Sequence, residues 1–308
     1  MATILEPGEI EAAASSPPFL YLPPHNLFSL RAQRLEHLAE GHALADYLHL
    51  IAGLCRVQQQ VMDDPPLSTP IDEQRLDVCQ RHGLPPFAAD TLVREESWQA
   101  YLDALLQRYV PPEQPAVLDA VATLGEAGPG QLRSWAVALV SGQYSLVPAA
   151  LVPFLGAGLQ VAWSHWLLSV PNLQLKPGDS LSQCPGCGSP AMAGVIRHRG
   201  KYNGLRYLVC SLCACEWHVV RVKCVYCESS KGLDYLSLED DRHAANQAPI
   251  RAEVCPSCNS YLKLVYLEND AEGEALSADL TSLLLDMRLA QDGFQRLAPN
   301  LLLAPGDE

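Results

Sequence analysis

The stretch Cys184–Cys258 constrains this chain most, because it holds four Cys-x-x-Cys pairs: Cys184/Cys187, Cys210/Cys213, Cys224/Cys227 and Cys255/Cys258. One such pair is ambiguous between a redox dithiol and half of a metal site. Four pairs within 75 residues point to metal. Two residues between cysteines form a tight turn that presents both sulfurs to one ion, and a second turn completes a tetrahedral four-thiolate shell. Eight paired thiols therefore suit two closed sites.

The turn residues fit. In Cys184-Pro185-Gly186-Cys187-Gly188, Pro sits where φ is already fixed and Gly follows where positive φ is easiest. Cys255-Pro256-Ser257-Cys258-Asn259 repeats the pattern with Asn, the next most tolerant residue of the left-handed region. Such knuckles occur in rubredoxins and zinc ribbons. The competing structural account is two disulfides or free core thiols.

An internal repeat suggests which pairs share a metal. Gly204-Leu205-Arg206-Tyr207-Leu208 follows the first knuckle, and Gly232-Leu233-Asp234-Tyr235-Leu236 follows the third. Trp217 and Tyr261 open apolar runs after the second and fourth. Repeated units bury like contacts within themselves. Cys184/Cys187 is therefore paired with Cys210/Cys213, and Cys224/Cys227 with Cys255/Cys258; an interleaved arrangement remains the alternative. Cys215 reads as a buried or spare thiol.

The formal charge of −14 argues against a general binder of nucleic acid or anionic membranes. Between Cys184 and Cys227, however, Arg197, Arg199, Lys201, Arg206, Arg221 and Lys223 face only Glu216. This excess either compensates a four-thiolate centre or forms a docking face for an acidic partner, with Arg197, Arg199, Lys201 and Arg206 as candidates. Cysteine usage fits a reducing compartment. Met1–Phe19 lacks a basic and an apolar segment, so a cytoplasmic protein without a signal peptide is expected.

The expected class is α+β: an all-α orthogonal bundle, two tandem rubredoxin-like or zinc-ribbon modules and a C-terminal helix. The expected boundaries are a mobile arm at 1–25, with a short docked piece at Phe19–Leu22, a helical domain at 26–177, modules at 178–223 and 224–275, and helix plus loose tail at 276–308. Helical spacing runs from Asn26 to Asp63-Asp64-Pro65-Pro66, with further helices near 72–82, 95–109, 115–126 and 129–142. Residues 134–175 lack Asp, Glu, Lys and Arg. Pro148, Pro153, Gln160, Ser164 and His165 favour a buried helix over 149–169 rather than a membrane span. His165, between two tryptophans, reads as a satisfied core histidine. Leu276, Leu280, Leu283, Leu284 and Met287 form one stripe of the final helix, with Asp279, Asp286 and Arg288 off it.

Cys-Pro-Gly-Cys-Gly-Ser-x-Pro at 184–190, Gly-Leu-Arg-Tyr-Leu-x-Cys at 204–210, Glu-Trp-His-Val-Val-Arg-Val-Lys-Cys at 216–224 and Cys-x-x-Cys-x-Ser-Tyr-Leu-Lys at 255–263 are far more specific than a knuckle alone. Together with Phe28-Ser29-Leu30-Arg31-Ala32-Gln33-Arg34-Leu35, they closely resemble the formate dehydrogenase accessory protein family, the FdhE type. The resemblance implies a cytoplasmic maturation factor rather than an enzyme. Its partner would be the catalytic subunit of respiratory formate dehydrogenase, and its eight paired cysteines would be rubredoxin-like ligands for iron. Tetrahedral thiolate sites accept iron or zinc; the knuckle and the resemblance lean toward two irons per chain. Either a redox or a structural role remains open. The alternatives are a zinc-ribbon nucleic-acid binder using Arg197, Arg199, Lys201, Arg206, Tyr202 and Tyr207, and a thiol redox enzyme. Trp217, His218 and Arg221 read as support for the metal site, and no catalytic group stands out.

Overall fold

The computed structural model describes residues 17–178, 180–198, 203–238 and 244–303. The expected arm therefore lies outside the described residues as far as position 16, as does the tail beyond 303.

Apolar residues at helical spacing build α1 (Leu27–Ala39) and α2 (Ala45–Asp63). The sequence reads as one helical stretch here, but Gly41 at φ 71° breaks it. In α3 (Glu73–His82), the Asp72 carboxylate accepts from Arg75 N at 2.7 Å, and left-handed Gly83 closes the helix. The single turn α4 (Ala89–Leu92) and α5 (Gln99–Arg108) follow. Proline in the first turn, where a missing N–H costs nothing, starts both α6 (Pro115–Glu126) and α7 (Pro129–Val140).

The uncharged stretch forms α8 (Val152–Leu168), which packs on α2 and α5. The apolar segment Ala149–Leu168 is long enough to cross a membrane, yet 89% of it is buried inside the fold. Two glycines allow that burial. A Cβ on Gly156 would lie 2.2 Å from the Leu301 carbonyl oxygen, and one on Gly158 would lie 3.0 Å from Leu102. His165 Nδ1 sits 2.8 Å from the Tyr101 hydroxyl, so it is a satisfied core side chain. Burial lowers its pKa.

The strands β1 (Leu20–Tyr21), β2 (Ala191–Ile196), β3 (Arg206–Cys210), β4 (Glu216–His218), β5 (Asp234–Leu236), β6 (Ile250–Cys255) and β7 (Ser260–Tyr266) form one sheet in the order β1-β4-β3-β2-β7-β6-β5. A final strand, β8 (Gln295–Arg296), also pairs with β7. Each ribbon is an antiparallel three-stranded meander, β2-β3-β4 or β5-β6-β7. They join through the parallel pair β2–β7, with Gly194 opposite Leu264 and Ile196 opposite Tyr266. Gly194 permits the seam, since a Cβ there would lie 2.7 Å from Leu264 Cδ2. The docked piece near Phe19–Leu22 is strand β1, held by His218 N donating to Phe19 O at 2.8 Å.

The Gly-Leu-x-Tyr-Leu recurrence is out of step with the ribbons. Its first copy lies on β3, the strand entering the second knuckle, whereas its second lies on β5, the first strand of its ribbon. In strand order β3 corresponds to β6.

The expected final helix is two helices, α9 (Ala275–Thr281) and α10 (Leu283–Gln291). Buried Lys263 breaks it by bonding Asp279 O at 2.9 Å, Ser282 Oγ at 3.0 Å and Asp286 Oδ2 at 2.6 Å. The expected stripe fails accordingly. Leu284 and Met287 are exposed, while Leu285, Leu289 and Asp279 are buried.

Candidate metal centres

Each knuckle turns its chain through a left-handed residue immediately after the second cysteine: Gly188 (φ 75°), Ala214 (55°), Glu228 (57°) and Asn259 (53°). Gly and Asn adopt this region readily, whereas Ala and Glu carry a Cβ clash. Closing hydrogen bonds repeat as well: Cys184 N donates to Ser189 O, Cys210 N to Cys215 O and Cys224 N to Ser229 O. Backbone amides then point at sulfur. Gly186 N lies 3.4 Å from Cys184 Sγ, Leu212 N 3.3 Å from Cys210 Sγ and Tyr226 N 3.4 Å from Cys224 Sγ.

The fold brings Cys184, Cys187, Cys210 and Cys213 into one group and Cys224, Cys227, Cys255 and Cys258 into another, with all sulfurs of each group within 4.8 Å of one another. Across the knuckles, Cys184 and Cys213 are 3.6 Å apart, Cys187 and Cys210 3.3 Å, Cys224 and Cys258 3.8 Å, and Cys227 and Cys255 3.7 Å. A disulfide needs about 2.05 Å, and all eleven cysteines are free thiols. Metal–sulfur bonds of about 2.3 Å give a tetrahedron with edges of about 3.8 Å. Both groups thus fit one four-coordinate ion each. Burial pushes the thiols of Cys184, Cys210 and Cys213 well above their usual range. Cys187 goes the other way: although burial raises its thiol, hydrogen bonds from Cys184, Cys210 and Cys213 hold it well below the usual range.

The two groups differ in their surroundings. The first is sealed, with every cysteine at 2% exposure or less. Helical-domain backbone locks onto its first knuckle, as Phe87 N donates to Gly186 O at 3.0 Å and Ala89 N to Cys187 O at 2.8 Å. On the second knuckle, Gln160 from α8 donates to Ser211 O at 2.9 Å. Trp163 ties down the helical-domain loop that meets the first knuckle, donating from Nε1 to Phe87 O at 2.9 Å. The second group sits at the surface. Cys227 is exposed and Cys258 half-buried, and the Ser260 hydroxyl lies 3.0 Å from Cys258 Sγ. Tyr226, Val220 and Val222 beside it are exposed. Phe87, Ala89 and Gln160 carry no local sequence signal, because they act through backbone or from a distant helix. Ser260 was visible only as part of the Cys-x-x-Cys-x-Ser motif.

Cys215 belongs to neither group of four. It is fully buried, with its thiol in hydrogen-bonding reach of Cys184 and Cys213. Trp217 donates to Leu181 O at 3.0 Å beside the first knuckle.

Among the described residues, one candidate of the expected basic face does not contribute to it. Arg206 is completely buried, so it offers no docking surface. It pairs with Glu253 at 2.6 Å and donates to Val220 O and to Lys223 O, tying one ribbon to the linker and to the other ribbon. Arg197 stacks on Tyr21 and Tyr207 at 4.7 and 5.4 Å and pairs with Glu216, clasping β1. Arg199, Lys201 and Tyr202 lie outside the described residues.

Comparison with known proteins covers nearly all of the chain. Family models described as FdhE, N-terminal, FdhE, central domain, and FdhE, C-terminal domain match residues 16–179, 183–221 and 222–303. The chain is 64% identical over 306 residues to the Protein FdhE homolog of Pseudomonas putida, covering 99% of this chain and 96% of that one. It is 37% identical over 301 residues to Protein FdhE of Escherichia coli, covering 97% and 95%. The crystal structure of the FdhE protein from Pseudomonas aeruginosa superposes with a TM-score of 0.88 at 57% identity, covering 94% of this chain and all of that one. The sequence motifs, the paired four-sulfur groups and these matches agree: the chain belongs to the FdhE family.

Proposed function

We propose that this protein is a cytoplasmic, non-enzymatic accessory factor that binds the catalytic subunit of respiratory formate dehydrogenase and supports its maturation. We assign one metal ion to each four-cysteine group. Family membership supports the client, and the single observation that carries the metal reading is the convergence of eight sulfurs into two tetrahedron-sized groups. Cys184, Cys187, Cys210 and Cys213 would hold a permanent staple, since helices and sheet close over them. Cys224, Cys227, Cys255 and Cys258 would hold the ion that solvent and client can reach, bordered by exposed Tyr226, Val220 and Val222. Iron at that position would supply a one-electron couple, whereas zinc would supply only rigidity.

Neither competing reading gains support. A nucleic-acid surface needs unpaired cations, and of the described cations that this reading named, Arg206 is buried and Arg197 is paired. A thiol enzyme needs a free dithiol, and each Cys-x-x-Cys pair faces another. The test is co-purification with the formate dehydrogenase catalytic subunit. Cys227→Ser and Tyr226→Ala are expected to abolish capture while the protein stays folded. Undiminished capture by both variants contradicts the assignment of this face.

A further inference from the structure

We propose that the cleft where the two ribbons meet binds a phosphorylated small molecule of nucleotide size. The parallel ladder between β2 and β7 ends at Ile196 opposite Tyr266, and beyond it the chains diverge. A cleft of about 680 Å³ opens there, lined from both ribbons. Ligand pockets for small organic molecules have about this size.

Its charge is an outlier. The chain carries −14 overall, yet among the described residues the charged ones lining the cleft are Arg197, Arg221, Arg251 and one acid, Glu268. Arg197 is neutralised by Glu216. Arg221 and Arg251 have no carboxylate partner among the described residues, and both are already aimed. The Arg251 guanidinium carbon lies over the Tyr266 ring, 3.8 Å from its centroid, and its Nε donates to Ala248 O at 3.1 Å. That leaves its terminal amino groups without a hydrogen-bond partner among the described residues. Arg221 is anchored from the linker by Nη1 donating to Gly204 O at 3.2 Å. Holding a guanidinium in place removes much of the entropy cost of binding an anion.

Two forks, one arriving from the linker and one from the second ribbon, call for acceptor oxygens in more than one direction. Phosphate offers these, whereas a planar carboxylate satisfies one fork. The rest of the wall is amide: Asn246, Gln247 and Asn269 present donors and acceptors suited to an uncharged polar body attached to the phosphate. The cleft is separate from both sulfur groups, so the proposal stands whether or not those hold metal.

The test is titration calorimetry of the full-length, metal-loaded protein with ADP, pyrophosphate and an oligoglutamate peptide as probes. ADP is expected to bind saturably and more tightly than pyrophosphate. Arg221→Gln and Arg251→Gln are each expected to weaken ADP at least about tenfold, while Arg133→Gln on the helical domain leaves it unchanged. Arg221 is exposed, so its substitution keeps the test decisive even if the Arg251 variant unfolds. Three results overturn the proposal: no saturable ADP binding at millimolar concentration, binding insensitive to Arg221→Gln, or binding of the peptide alone. Pyrophosphate binding as tightly as ADP overturns the role given to the amide wall.

Discussion

At the residue scale, the decisive positions are those where a side chain has one physical option. Gly188 and Asn259 were legible as left-handed because their identities allow positive φ. Ala214 and Glu228 adopt it without that signal. A left-handed Ala costs about 1–2 kcal/mol, more than the roughly 0.5–1 kcal/mol that Gly loses in backbone entropy. Ala214→Gly should therefore stabilise the protein by about 0.5–1 kcal/mol, measured as a raised midpoint of denaturant unfolding in the metal-loaded state. Arg206 misled in the opposite direction, since sequence reports its charge but not that Glu253 lies within reach. Asp279, buried between Lys263 and Arg296, gives a test with a defined sign. Although burial opposes ionisation, those two cations hold its carboxyl below the usual range. Its contribution is therefore present above the unfolded value near 3.9 and fades as pH falls through the lower folded value. Asp279→Asn should cost about 3 kcal/mol at pH 7, since Lys263 and Arg296 are then left to share Asp286. Thermal melting at stepped pH should show that gap closing below about pH 4.

At the scale of elements, local signals defined what they govern. Helix ends at Asp72, Pro115 and Pro129 agree with their capping residues, and the uncharged stretch is the buried α8. What failed depended on distant partners. The final stripe broke because Lys263, on β7, draws in Ser282 and Asp286. The pairing of β2 with β7 had no local mark beyond Gly194, because both strands are simply apolar. Glycines at close approaches read in sequence as weak helix positions, yet Gly156 faces the Leu301 backbone. Gly156→Ala should lower the melting temperature and increase amide exchange in 298–303 before the rest of the chain. A uniform change across the molecule would contradict a local clash.

For the whole molecule, the sealed group lies between helices and sheet, so its loss should cost far more than loss of the exposed group. Structural tetrahedral sites couple metal binding directly to folding. Cys184→Ser should yield protein that unfolds or aggregates, whereas Cys227→Ser should remain folded by circular dichroism and lose one metal equivalent. The Cys-x-x-Cys spacing marked eight ligands in the sequence, and the internal repeat suggested their grouping with an interleaved arrangement left open; the difference between the two environments was not legible, because it arises from Phe87, Ala89 and Gln160.

The measurement that tests the central claim most directly is metal content per chain, with cysteine alkylation followed by mass spectrometry on protein purified without oxygen. Two equivalents of metal are expected, and a chelator should remove one first while alkylation appears at Cys224, Cys227, Cys255 and Cys258. Absence of metal, with the eight thiols joined as disulfides, would contradict the account, and so would equal release from both groups.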